Sequence, residues 1–327
     1  MKNGIYHGMD EDEYHAIPRL SASGVKNILV SPMTFWSRSW LNTNKEENDE
    51  NKFLLKGRAY HARVCEGFKH FSERYVYALD KKGYPDALDS GDQLKQKCKD
   101  LGLKVSGKKD ELIARIKEVE QNTQIWSDIV SAHALANAGK TILPANWVHD
   151  IEVGANYIGK HPTIKDVFDG GEAETTILWT HTFSDRNGVE RSVDMKSRID
   201  YRKKNILVDF KTYSNALDFT PKKAIIREMS NRSYYLQAAV YYLADRAIDP
   251  DSQRVFMFVF QGTGDDKMPR CRMMGEDMGW ITHGKTQFTN ACEIYADAVK
   301  RFGNDPWLIE EEPEAFADED FPPWMGE

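Results

Sequence analysis

The spacing of apolar residues changes character along the chain, and each change predicts an element. Leu20 to Leu29 places apolar residues at helical spacing behind a serine cap, and Pro32 ends that helix before an aromatic stretch with Phe35, Trp36 and Trp40. A second helix is expected from about Phe53 to Cys65, carrying His61. Between about residues 88 and 118, Leu94, Cys98, Leu101 and Leu103 share one face of a short helix and turn. Leu112, Ile113 and Ile116 mark a second amphipathic helix after Ser106 and Gly107. From about residue 172 the period drops to two. Thr175 to Phe183 alternates and is rich in β-branched residues, Asp185 to Gly188 predicts a hairpin turn, Arg191 to Asp200 returns, and Asn205 to Lys211 is a short apolar strand. A long helix from about Pro221 to Asp245, strands at Arg254–Phe260 and about Arg270–Met274, and a helix from Gly275 to Phe302 follow. Helix, three strands, helix and strand in that order predict an α/β fold with a mixed central sheet flanked by helices.

Composition narrows the class. With 41% hydrophobic, 11% aromatic and 29% charged residues, the 327-residue chain is globular rather than disordered or fibrous. No window approaches the roughly 20 consecutive apolar residues of a membrane span. Met1 to Gly8 lacks the pattern of a secretory signal, so a cytoplasmic address without membrane contact is expected. Cys65, Cys98, Cys271 and Cys292 stand far apart without zinc-finger spacing, which predicts reduced, buried thiols. The net charge of −7 hides an asymmetry, because residues 304–327 hold nine acids and no Lys or Arg, leaving +2 on residues 1–303. Charge therefore does not exclude a nucleic-acid partner.

The residues richest in chemistry end two adjacent strands, Ser197 to Asp200 and Ile206 to Thr212. Positions two apart share a strand face, so Asp209 and Lys211 point the same way beside Asp200 while Phe210 packs on the other side. A half-buried carboxylate and ammonium at the end of an apolar strand are normally paired or metal-bound. Two carboxylates at one point suit Mg²⁺, which takes oxygen ligands and keeps waters for a reaction.

Asp200, followed by Asp209-x-Lys211 on the next strand, resembles the signature of the PD-(D/E)XK nuclease fold. Gly57-x3-His61 followed by Glu66, and Gln237-x3-Tyr241 on the later helix, resemble its RecB-like branch. Tyr14 to Ser23, Leu55 to Val64, and Met273 to Glu276 are similar to the nuclease region of the exonuclease VIII (RecE-type) family of phage recombination. Outside that likeness, Leu94 to Ile116 resembles the SAP motif, a helix-turn-helix DNA-binding module. The span Asp92 to Lys117 carries eight bases against four acids. The expected organisation is a first nuclease segment (1–84), a SAP-like insertion (85–125), a nuclease core (126–303) and an acidic tail (304–327).

The resemblance implies a Mg²⁺-dependent exonuclease that degrades one strand of linear duplex DNA from the 5′ end and leaves a 3′ overhang for an annealing recombinase. It implies a homo-oligomeric ring in a bacterial cytoplasm. Asp200, Asp209 and the Phe210 carbonyl would hold one Mg²⁺, His61 with Asp200 would help hold a second, and Mn²⁺ would substitute. Lys211 would orient or deprotonate the attacking water.

Each assignment has a plainer counterpart. His61 is a ligand or a satisfied core histidine, and Glu174 holds a metal water or is an exposed strand-end acid. Gln237 and Tyr241, one helical turn apart, contact DNA and the catalytic acids or pack at the core rim. Ser23 is read as a DNA contact, and Arg38 as a fork for a terminal 5′-phosphate or a surface arginine. Trp36 and Phe35 stack on bases or belong to the core. Lys104, Lys108, Lys109 and Arg115 are the expected phosphate contacts of the SAP-like unit, and the acidic tail either is solvated or docks on a basic partner. Two rivals stand beside the exonuclease: a structure-specific or restriction-like endonuclease, and a non-catalytic SAP-type DNA-binding protein.

Overall fold

The computed structural model describes residues 1–45 and 52–309. The first elements are β1 (Gly4–Tyr6), α1 (Glu11–Ala16), α2 (Ala22–Val30), α3 (Pro32–Arg38) and α4 (Lys52–His61). Ser21 caps α2 by accepting from the Gly24 amide at 3.2 Å, and Ser31 caps α3 by accepting from Thr34 at 3.0 Å. The helix carrying His61 does not run on regularly to Cys65 as expected. It passes into one π turn (Ala62–Glu66) and then α5 (Gly67–Arg74). Strand β2 (Tyr75–Tyr77), helices α6 (Gly91–Asp100), α7 (Lys109–Val119) and α8 (Trp126–Ala136), strand β3 (Thr141–Leu143) and helix α9 (Trp147–Lys160) follow. Helices α6 and α7 enclose a small core of their own, Leu94, Cys98, Leu112, Ile116 and Ile125.

Strands β4 (Glu172–Ser184), β5 (Glu190–Arg202) and β6 (Ile206–Tyr213) form the predicted meander. At its first turn Asp185 accepts from the amides of Asn187 and Val189, both at 2.9 Å, and Gly188 supplies a φ of 75°. The long helix expected from Pro221 is two helices, α10 (Pro221–Asn231) and α11 (Tyr234–Ile248), because Ser233 takes a left-handed conformation at φ 47°. Strands β7 (Val255–Gly262) and β8 (Arg270–Met274) and helix α12 (Gly279–Phe302) complete the described chain. The sheet order is β1-β4-β5-β6-β7-β8, antiparallel throughout except for the parallel β6–β7 pair that α10 and α11 connect.

Each face of this sheet has its own core. One is built with α2, α3, α10, α11 and α12, and includes Phe256, Phe258, Phe260, Phe288 and Trp307. Gly284 lets α12 lie on α11, since a Cβ there would meet Ala239 at 2.8 Å. The other core joins α4 and α9 to Phe210, Val208 and Val259. Phe35, offered above as a base-stacking residue, is 2% exposed and packs against Trp40, Tyr295 and Trp307, so it belongs to the core. Cys65, Cys98 and Cys292 are buried and Cys271 is partly buried, all as free thiols. The described residues thus form an α/β fold, a mixed and mostly antiparallel sheet flanked by helices, with the small α6–α7 unit beside it. No helix among the described residues is long and apolar enough to cross a membrane.

Candidate active site and nucleic-acid interface

Three acids stand in a row across β4, β5 and β6. The β4–β5 register puts Glu174 opposite Asp200, between the pairs Ala173–Tyr201 and Thr175–Ile199. The β5–β6 ladder ends at Tyr201–Val208, one step before Asp200 and Asp209 would meet. The strands part there, and the Asp200 carboxylate accepts from the Phe210 amide at 2.8 Å, taking a donor that the ladder leaves free. Glu174 has φ 51°, a left-handed conformation unusual for a non-glycine residue and of the kind stored at functional sites.

A row of carboxylates this close needs cations. His61, at the end of α4, bridges two of them, with Nδ1 3.1 Å from Glu174 and Nε2 3.1 Å from Asp200. Lys211 touches Asp209, and Arg198 pairs with Glu174. The π turn after His61 closes on the fifth residue rather than the fourth, which brings Glu66 to the His61 side. Ligand atoms of His61, Glu66 and Glu174 all lie within 4.8 Å of one another. From α11, Gln237 donates to Asp209 at 2.7 Å and to the Tyr241 hydroxyl at 3.0 Å.

The charges set each other's states. Burial pushes Asp209 up, and the neighbouring Asp200 adds to it. Burial also works against ionised Asp200, but the His61 and Lys211 charges and the Phe210 amide overcome it and hold Asp200 below the usual range. Burial opposes the Lys211 ammonium, yet Asp209 and Asp200 raise it above the ordinary lysine value. His61 is likewise raised, against burial, by Cys65 and by the Asp200 and Glu174 carboxylates.

His61, Glu66, Glu174, Asp200, Gln237 and Tyr241 line a cleft of about 310 Å³ together with Tyr14, Ser21, Ser23 and Lys26 of the N-terminal segment, with Asp209 buried behind it. Lys196 of β5 holds that segment down. It is 5% exposed and donates to the carbonyls of Tyr14 at 2.9 Å, His15 at 3.1 Å and Ile17 at 2.8 Å. A second cavity of about 400 Å³ shares Tyr14, His15, Ser21 and Ser23 with the first and is lined by Arg38, Lys45 and Lys196. Arg38 donates to Asn27 at 3.1 Å there, and Lys45 donates to the Arg38 carbonyl at 3.1 Å. Trp36 is turned toward Asn304, to whose carbonyl its ring nitrogen donates at 2.9 Å.

The expected site residues His61, Glu174, Asp200, Asp209, Lys211, Gln237 and Tyr241 thus converge, with Phe210 contributing backbone to the same point and its side chain to the opposite core. Ser23 lies in both cavities and Arg38 in the second. Lys26, Arg198 and Lys196 were missed. The period of two along β5 carries the signal for the last two, since Lys196, Arg198 and Asp200 are alternate residues of that strand.

In the α6–α7 unit Lys104, Lys108 and Lys109 are exposed, and Lys109 pairs with Asp89 at 3.2 Å. Arg115 instead grips its own turn, donating to the carbonyls of Lys104 at 2.9 Å and Ser106 at 2.7 Å. The acidic tail from residue 310 onward lies outside the described residues.

Among the described residues, the donors close enough together to hold one metal ion are those of His61, Glu66 and Glu174. His61 Nε2 and Asp209 Oδ1 are buried yet complete no hydrogen bond of good geometry, although each faces an oppositely charged group. The carboxylates are oxygen donors of the kind Mg²⁺ and Mn²⁺ take, and the imidazole nitrogen joins such a set only when His61 gives up its proton.

Comparison with known proteins divides the chain. Residues 90–120 match the SAP domain family. No curated protein sequence matches the chain. Among solved structures it is similar to a candidate exonuclease from Eubacterium rectale, at 13% identity and TM-score 0.42 over 89% of this chain and 86% of that one.

Proposed function

We propose that this protein is a Mg²⁺-dependent 5′-to-3′ exonuclease acting on the ends of linear double-stranded DNA and leaving 3′ overhangs for recombination by strand annealing. One observation carries the reading: His61 and Asp200 line one cleft, and directly behind them the buried Asp209 is paired with Lys211 and bonded by Gln237. The SAP match supplies a DNA-binding module on the same chain.

Asp200, Asp209 and His61, with the Phe210 carbonyl, would hold Mg²⁺, which when bound polarises a phosphoryl oxygen and lowers the pKa of water. Lys211 stays an ammonium under the pull of Asp209 and Asp200, so it orients the attacking water and offsets charge growing on the phosphate rather than removing a proton. Gln237 fixes the Asp209 carboxylate by donating to it, and Tyr241 shares that amide. Glu174 holds His61 from the other ring nitrogen. Ser23 and Arg38 sit where an end-binding pocket would adjoin the cleft, and Arg38 offers a guanidinium for a terminal 5′-phosphate. The reading includes a ring of identical subunits, an annealing recombinase as partner, and work on DNA in a bacterial cytoplasm.

The deciding experiment digests linear duplex labelled at the 5′ or the 3′ end, and a covalently closed circle, with and without Mg²⁺. Early release of 5′ label from linear DNA alone, with Mg²⁺ alone, is the expected result. Cutting of the circle replaces the reading with an endonuclease. DNA binding without cleavage under any divalent cation replaces it with a non-catalytic SAP-type binder.

A further inference from the structure

The cations that line the catalytic cleft are committed to its carboxylates, with one exception. Arg58 pairs with Glu11 at 3.3 Å, Arg74 with Glu66 at 2.5 Å, and Arg198 with Glu174. Lys26 lines the same cleft, one turn along α2 from Ser23, and among the described residues it pairs with no carboxylate. Its ammonium donates to the Arg232 carbonyl at 2.9 Å and lies 5.4 Å from the centre of the Tyr234 ring. Lys211 lies 5.2 Å from the centre of that same ring. Two ammonium groups therefore share one aromatic ring, and of the two only Lys211 is in direct contact with a carboxylate.

Such an arrangement is costly in the free protein. A half-buried cation gains little from one carbonyl and one ring face, and it is repelled by a like charge across that ring. Burial, with the Lys211 charge adding to it, pushes Lys26 down to about 8 against a smaller opposing pull from Asp209. The carboxylates lining the cleft are paired with other cations, and none among the described residues pairs with Lys26.

We infer that Lys26 contacts the DNA backbone, binding a phosphate next to the one that is cut and setting the strand against Lys211 through the ring they share. The inference rests on the nuclease reading above and adds to it a substrate-binding residue. The plainer role is a cap, in which Lys26 only satisfies the carbonyl of Arg232 at the end of α10 and steadies the left-handed Ser233 joint.

Salt dependence separates the two roles. Wild type, Lys26→Gln, Lys26→Arg and the distant charge control Lys300→Gln are compared for duplex binding in Ca²⁺ between 50 and 200 mM salt, and for kcat and KM in Mg²⁺. Loss of one phosphate contact lowers the salt slope by about 0.9, so the fourfold salt range weakens binding by about 3.5-fold less in Lys26→Gln than in wild type. KM rises in that variant while kcat stays within about twofold, and Lys26→Arg and Lys300→Gln keep the wild-type slope. Lys26→Met, which keeps the aliphatic stem, makes the same comparison should Lys26→Gln fail to fold. An unchanged slope with a lowered melting temperature assigns Lys26 to the cap and overturns the inference alone. A wild-type protein that neither cuts nor binds DNA overturns the nuclease reading and the inference together.

Discussion

Replacing Gln237 with Leu leaves a slightly smaller apolar side chain and removes the amide that donates to Asp209 at 2.7 Å. Asp209 is fully buried, and burial and Asp200 already push it toward its neutral form. A hydrogen bond to a charged group contributes about 1.5–3 kcal/mol, and each pKa unit corresponds to about 1.4 kcal/mol. Since the bond favours the carboxylate, its loss moves Asp209 up by a further one to two units, about a 5- to 50-fold drop in the ionised fraction at pH 7. Initial cleavage rates measured from pH 6 to 9.5 at fixed Mg²⁺ should show the acid limb of the profile displaced upward by that amount in Gln237→Leu, with the two enzymes converging at the alkaline end. Mg²⁺ affinity near pH 7, titrated without DNA, should fall by a similar factor. A loss of rate by the same factor at every pH, with the limb in place, would refute the reasoning and make Gln237 a contact to DNA rather than a support for Asp209.

Asp209→Ala and Lys211→Ala should each cut cleavage to below a few per cent of wild type while binding and melting temperature change little, and Ca²⁺ should support binding without turnover. Asp209→Asn tests the buried charge in the metal-free protein. The folded carboxyl is raised to about 7, so the stability it contributes is complete below the unfolded value and is lost as pH rises through the folded one. The Asn variant should therefore gain melting temperature over wild type at pH 8 and not at pH 4, and a gain independent of pH would contradict the assignment. Arg38→Ala should slow digestion of 5′-phosphorylated ends much more than of 5′-hydroxyl ends, and an equal loss on both would make it a general contact. Replacing Lys104, Lys108 and Lys109 with Ala should flatten the salt slope of binding by about two to three units, the lower figure if the Lys109–Asp89 pair persists on DNA. Single-turnover cleavage of bound DNA should stay near wild type, and unchanged binding would reassign the unit to a protein partner.

What could be read in the sequence was what local periodicity encodes. Alternation put Asp209 and Lys211 on one face of β6, and helical spacing put Gln237 and Tyr241 on one face of α11. The break between α10 and α11 was not legible, because Asn231 to Tyr234 contains neither proline nor glycine. A serine held at φ 47° imposes it instead, and only tertiary packing can maintain that conformation. Helices α8 and α9 were also missed, so the reading had no partner for α4. Yet α9 supports His61 from behind: Gly154 lets Tyr60 approach so closely that a Cβ would lie 1.4 Å from its hydroxyl, which donates to the Asp150 carbonyl at 3.0 Å.

The same distinction explains why the acids were found and most of their supports were not. Asp200 and Asp209 are nine residues apart on neighbouring strands, so short-range pattern brings them together. Glu174 meets Asp200 through the register of a long hairpin, and Glu66 reaches the cluster only because the helix departs from its regular period into a π turn. Lys26 and Lys211 are 185 positions apart and meet through a ring that neither of their segments supplies. Chemistry carried on one strand pair is thus visible as pattern, whereas compensation of its charge depends on the packing of four separate segments: α2, α4 with its π turn, β5 and α11. It follows that substitutions at supporting positions should shift pH dependence, metal affinity and salt dependence before they abolish cleavage, while those at Asp200, Asp209 and Lys211 abolish it outright.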